Sequence, residues 1–155
     1  MRISAAGLAL IKQEEHFMAR RYLCPAGKPT IGYGHVLLPG EERYHTAVLT
    51  EAQASALLQQ DIDKKYGAHV ASRVHRDLTQ NQFDALVSFC FNIGTGGFDK
   101  SSVLALANAS ATDPRVLANA FGLWNKVTNP KTKVKEISKG LTIRRAREAA
   151  LYLQP

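Results

Sequence analysis

The tightest constraint on this chain is a change of hydrophobic rhythm near residue 50. Downstream, apolar residues recur at helical spacing. Thr79 and Gln82 form a capping box, followed by Phe83, Leu86, Val87 and Cys90 at i, i+3, i+4 and i+7, which is one face of an α-helix. Thr50 with Gln53 makes a second box, and Asp113-Pro114 marks another helix start. Leu117, Ala120, Phe121 and Trp124 repeat the core spacing. Asn92-Ile93-Gly94-Thr95-Gly96-Gly97 closes the central helix, and Asn129-Pro130 breaks the chain. Gly140 and Thr142 introduce a last helix with Ala146, Ala149, Ala150 and Leu153 on one face.

Upstream the reading differs. Ser4 is a suitable N-cap for a first helix running to about Glu15, with Leu8 and Ile11 on one side. From about 17 to 48, Tyr22-Leu23, Thr30-Ile31 and Tyr33 favour strands. Pro25-Ala26-Gly27 and Pro39-Gly40 punctuate them as turns. The expectation is an α+β chain forming one domain over 1–155. A small antiparallel hairpin region occupies about 17–48 and a larger helical body about 50–155, with a cleft between.

A 155-residue chain buries roughly 70% of its unfolded surface, so no disulfide framework or structural metal is required. The hydrophobic share of 45% argues against disorder. Net charge is +7 and pI about 9.6, which favours anionic partners. Nucleic acid is not expected, since no recognition helix or aromatic-interleaved basic stripe is visible. The basic stretch Lys126 to Lys139, with five lysines and one glutamate, reads as a solvated loop. Cys24, Cys90 and the five histidines show no metal-ligand spacing, so neither metal nor cofactor is expected. Cys90 reads as a core residue. The apolar run Ala5 to Ile11 is too short to span a bilayer. A soluble, cytoplasmically made chain without its own export signal is expected.

Three residues carry the chemistry. Glu15, Cys24 and Thr30 supply a carboxyl, a thiol and a hydroxyl where a helix gives way to the glycine-rich string Thr30-Ile31-Gly32-Tyr33-Gly34-His35. Glycosidic hydrolysis needs a proton donor on one side of the bond and a group managing water or attack on the other. A carboxyl near a helix C-terminus, where the dipole disfavours negative charge, suits the donor. A thiol can act as thiolate base, nucleophile or water-positioning group. A hydroxyl both donates to and accepts from a water.

The spacing Glu, eight residues, Cys, five residues, Thr resembles the active-site region of the phage-type lysozymes, the endolysin muramidases of glycoside hydrolase family 24, whose middle position holds Asp or Cys. The likeness extends through Thr79 to Gly94, Phe98 to Asn108, Trp124-Asn125 and Gly140 to Glu148. It implies a lysozyme-like fold and hydrolysis of the β-1,4 bond between N-acetylmuramic acid and N-acetylglucosamine in peptidoglycan, leading to host-cell lysis. It implies Glu15 as general acid, Thr30 as the residue orienting water, His35 as structural, and Arg144 or Arg145 as the partner of Glu15. It also implies a monomer made in the host cytoplasm. A separate holin-like membrane permeabiliser would then release it to the wall and periplasm. Where the family commonly has Gly after the acid, this chain has His16. The alternative readings are a lytic transglycosylase using the same acid and a non-catalytic basic cell-wall-binding module.

Overall fold

The computed structural model describes residues 1–24 and 27–155. It is an α+β structure. Helix α1 (Ala5–Lys12) leads into a three-stranded antiparallel sheet of β1 (Met18–Leu23), β2 (Pro29–Gly32) and β3 (His35–Val36). A 3₁₀ turn (Glu42–His45) and a helical rod follow; the rod comprises α2 (Glu51–Asp61), a π-helical segment (Ile62–Gly67) and α3 (Ala68–Arg73). Next come α4 (Gln80–Ile93), α5 (Thr95–Asp99), α6 (Ser102–Asn108) and α7 (Pro114–Gly122). A hairpin of β4 (Lys126–Thr128) and β5 (Lys135–Ile137) precedes α8 (Lys139–Tyr152). No helix among the described residues is long and apolar enough to cross a membrane.

Local chemistry sets the helix starts. Ser4 accepts from Gly7 N–H, both capping boxes form, and Asp113 caps α7 ahead of Pro114. Helix α1 ends at Lys12, three residues short of the expected Glu15. The expected turn at Pro25-Ala26 lies outside the described residues. Gly27 is described, with φ +74° and its N–H donating to Cys24 O at 2.7 Å. Gly32 (φ +67°) lets the sheet approach α2, where an added β-carbon would sit 3.2 Å from Ala54 Cβ.

Helix α4 is the axis of the core and packs on α1 and α8. Sequence spacing predicts a single apolar stripe, but every residue from Phe83 to Cys90 is buried. The helix tolerates this because its polar members are satisfied. Asp84 accepts from Ser4 N–H at 3.0 Å and Gln80 Nε2 at 2.8 Å. Cys90 is a free thiol in the core, and burial pushes it up to about 12.

Two expectations in the C-terminal third are corrected. The lysine-rich stretch is an exposed antiparallel hairpin rather than a loop, pairing Lys126 with Ile137 and Thr128 with Lys135. In α8, which starts at Lys139 under a Ser138 cap, the buried face is Arg144, Arg145, Glu148, Ala149 and Tyr152. Ala146, Ala150 and Leu153 face solvent. Opposite charges within reach of one another let long ionic side chains take core positions that small alanines cannot fill.

His35 fastens the sheet to the helical rod. Its Nδ1 lies 2.7 Å from Asp61 Oδ2 and its Nε2 2.8 Å from Glu41 Oε2. Burial pulls the imidazole down, but the Asp61 and Glu41 hydrogen bonds outweigh it and hold it above its ordinary value of 6.5. Glu41 is held below its ordinary 4.5, first by the Leu38 N–H and then by His35, against some opposing desolvation. The His35 contribution to stability is complete below 6.5 and fades as pH rises through the raised folded value. The Glu41 contribution is complete above 4.5 and fades as pH falls through the lowered one. Both are present together between those values. Thermal melting of His35→Asn is therefore expected to fall further below wild type at about pH 5.5 than at about pH 8.5.

Candidate active site

Glu15 follows the last turn of α1, where its N–H donates to Lys12 O at 3.4 Å. It is 29% exposed. Two arginines of α8 grip this corner. Arg144 Nη1 lies 3.5 Å from Glu15 Oε1, and Arg147 Nη1 lies 2.8 Å from Glu14 Oε1. Of the two candidate partners, Arg144 faces Glu15. Arg145 turns inward, with its guanidinium 5.0 Å from the centre of the Phe89 ring.

Cys24 directly follows β1, its N–H donating to Lys28 O at 3.0 Å. Thr30 lies in β2 opposite Tyr22. Side chains directly opposite in an antiparallel pair share a face, as do residues two apart along an extended strand. Tyr22, Thr30 and the Cys24 position therefore point to the same side of the sheet. Thr30 is almost fully buried, and its hydroxyl donates to Lys28 O at 2.9 Å.

Tyr22 joins the two ends of the site. Its phenol is pushed up first by burial and then by negative charge at Cys24 and at Glu15. One hydroxyl thus feels both the carboxyl and the thiol. Tyr22 thus pairs with Thr30 across the sheet and lies within electrostatic reach of Glu15 and Cys24. Tyr22 was not anticipated as a site residue, although its place two residues before Cys24 on an alternating strand was a usable signal. His16 is exposed beside Glu15.

Two hollows are lined in part by residues at the C-terminal end of α4. One, of about 350 Å³, lies between the β2–β3 turn and the helical body and is lined by Gly34, Val36, Leu38, Lys65, Tyr66 and Phe91 among others. The second, of about 460 Å³, is lined by Asn92, Trp124, Lys126, Lys135 and Leu141 among others. Leu141 places the second hollow one turn of α8 from Arg144.

Turned in behind Arg144 is a further ionic group that the sequence did not single out. Glu148, fully buried, accepts from Ser88 Oγ at 2.7 Å, Arg144 Nε at 3.2 Å and Arg145 Nη2 at 3.1 Å, all at Oε1. Its spacing of three and four residues from the arginines was the available clue.

A helical body, a small antiparallel sheet and a final helix whose Arg144 faces Glu15 are the arrangement of a lysozyme-type protein. Residues 12–148 match the phage lysozyme family, and the chain belongs to it. It is 39% identical over 155 residues to an endolysin of Bacillus phage PZA, covering 98% of this chain and 55% of that protein. It is 37% identical to the endolysin of Salmonella phage P22, covering 99% of both. The chain spans about half the length of the Bacillus phage relatives it matches. Among solved structures, the muramidase domain of SpmX from Asticaccaulis excentricus superposes with a TM-score of 0.84 at 38% identity, covering 99% of both chains. A P22 lysozyme variant gives 0.81 at 34% identity, again covering 99% of both.

Proposed function

We propose that this chain is an endolysin that hydrolyses the β-1,4 bond between N-acetylmuramic acid and N-acetylglucosamine in peptidoglycan. The observation that carries the reading is the pairing of Glu15 with Arg144 beside Tyr22, which lies opposite Thr30 and two residues before Cys24. Family membership and relatives named endolysin and muramidase support it.

In this reading Glu15 gives its proton to the glycosidic oxygen as the bond to the anomeric carbon breaks. Positive charge develops on the sugar ring, and a water held by Thr30 and Cys24 attacks that carbon. Cys24, as its thiolate, takes the water's leaving proton at Sγ while the hydroxyl bonds to the anomeric carbon, and the proton then returns through solvent to the Glu15 carboxylate. Net charge of +7 draws the protein to an anionic wall, an attraction that salt weakens. Action as a monomer, and arrival at the wall through a membrane opened by a separate holin-like partner, belong to the same proposal.

Digestion of purified peptidoglycan tests it. Mass spectrometry is expected to show reducing ends; 1,6-anhydro ends would instead identify a lytic transglycosylase. Cys24→Ala is expected to lose roughly 10²-fold in rate, with Cys24→Asp retaining most of it. Product configuration separates direct water attack, which inverts, from attack by the sulfur, which retains.

A further inference from the structure

Glu148 is the buried charge that the proposed chemistry leaves without a part. Burial pushes its carboxyl up, while Arg145, the Ser88 hydroxyl and Arg144 draw it back. On balance burial prevails and the carboxyl stands above its ordinary value, with two guanidiniums and a hydroxyl converging on it. Burial draws Arg145 down, to about 10. Arg145 Nε stands 2.8 Å from Glu148 Oε2, and the two form an inner ion pair.

Arg144 is not enclosed in the same way. Its Nε reaches Glu148 Oε1, its Nη2 donates to Ser88 O at 3.4 Å, and its Nη1 faces Glu15. One guanidinium therefore lies between two carboxylates, one sealed in the core and one opening to the site. Tyr22 on β1 is within electrostatic reach of Glu15, and Glu14 and His16 are its chain neighbours. Glu14 is engaged by Arg147.

We propose that Glu148 and Ser88 form an anchor that holds Arg144 against Glu15 and divides its charge between two carboxylates, making Glu148 a positioning residue for proton transfer. An undivided cation at Glu15 would favour its ionised form and weaken it as a donor. A mobile cation would lose the geometry on which transfer depends. The anchor rests on the reading of Glu15 as the proton donor.

The test is the pH–rate profile of the full chain on soluble peptidoglycan fragments, with thermal melting of each variant. Glu148→Gln keeps the shape and removes the charge. Its alkaline limb is expected to move to lower pH, with kcat falling about tenfold and KM changing less than about twofold. Glu148→Asp, which keeps the charge, is expected to hold the limb near its wild-type pH. Ser88→Ala retains every charge and removes only the hydroxyl donor. It is expected to shift the limb in the same direction by less, and it carries the test if Glu148→Gln does not fold. Folded variants with wild-type limb and kcat overturn the anchor, as does activity that falls only with the folded fraction. Glu15→Gln separates the two levels. If it stays active, the donor reading and the anchor fail together; if it is inactive while the limb stays unmoved, the anchor alone fails.

Discussion

Replacing Glu15 by Gln is expected to lower the rate of peptidoglycan cleavage on the order of 10³-fold, while the melting temperature stays close to that of the parent protein. The amide has nearly the same shape and can still accept from Arg144, but it has no proton to give. Glu15 is 29% exposed and makes a 3.5 Å ion contact. Partly exposed pairs of this kind contribute little to folding, so the loss should fall on chemistry. Clearing of purified peptidoglycan, followed beside circular-dichroism melting, measures both quantities. Near-parental clearing by a folded Glu15→Gln protein would remove the proposed acid.

Phe89→Ala is expected to have the largest effect on stability, about 3–5 kcal/mol, with the melting temperature lowered by on the order of 10 °C. Phe89 is fully buried on α4. Its ring centre lies 5.0 Å from that of Phe121, 6.1 Å from Trp124 and 6.4 Å from Phe98. Arg145 stacks over it at 5.0 Å. One side chain thus touches α5, α7, the residues beyond α7, and the ionic cluster of α8. Truncation would open a cavity that four separate elements would have to fill. Denaturant unfolding of the variant checks the magnitude, and a change below about 1 kcal/mol would show that the core closes around the gap.

Part of the architecture is legible because its causes are local. A threonine three residues before a glutamine caps a helix through atoms within one turn, and both boxes form as expected. Asp113 before Pro114 works the same way. The strands around Thr30 follow from β-branched and aromatic residues between glycines, and the sheet forms there. The end of α1 was misjudged because the polar run from Lys12 to Glu15 gives no stop signal of its own. The chain leaves the helix to feed β1, which is a tertiary demand.

The final helix shows the other limit. Hydrophobic periodicity assigns its inward face to alanines, whereas the structure turns two arginines and a glutamate inward. Periodicity treats a charged residue as outward-facing. It has no means of registering Ser88, sixty residues away, as the donor that makes Glu148 tolerable inside. The choice between Arg144 and Arg145 was open for the same reason. Adjacent residues on a helix point about 100° apart, and only the packing of α8 on α4 decides which of them meets Glu15.

Short-range order therefore settled the element types, the helix caps and the residue spacing that suggests a carboxyl, a thiol and a hydroxyl acting together, because each depends on atoms a few bonds apart. The approach of Tyr22 to Glu15, the selection of Arg144, and the burial of Glu148 between Ser88 and Arg145 were decided by the folded chain. Those contacts join segments far apart in sequence, and their free energy exists only once α1, the sheet, α4 and α8 have come together.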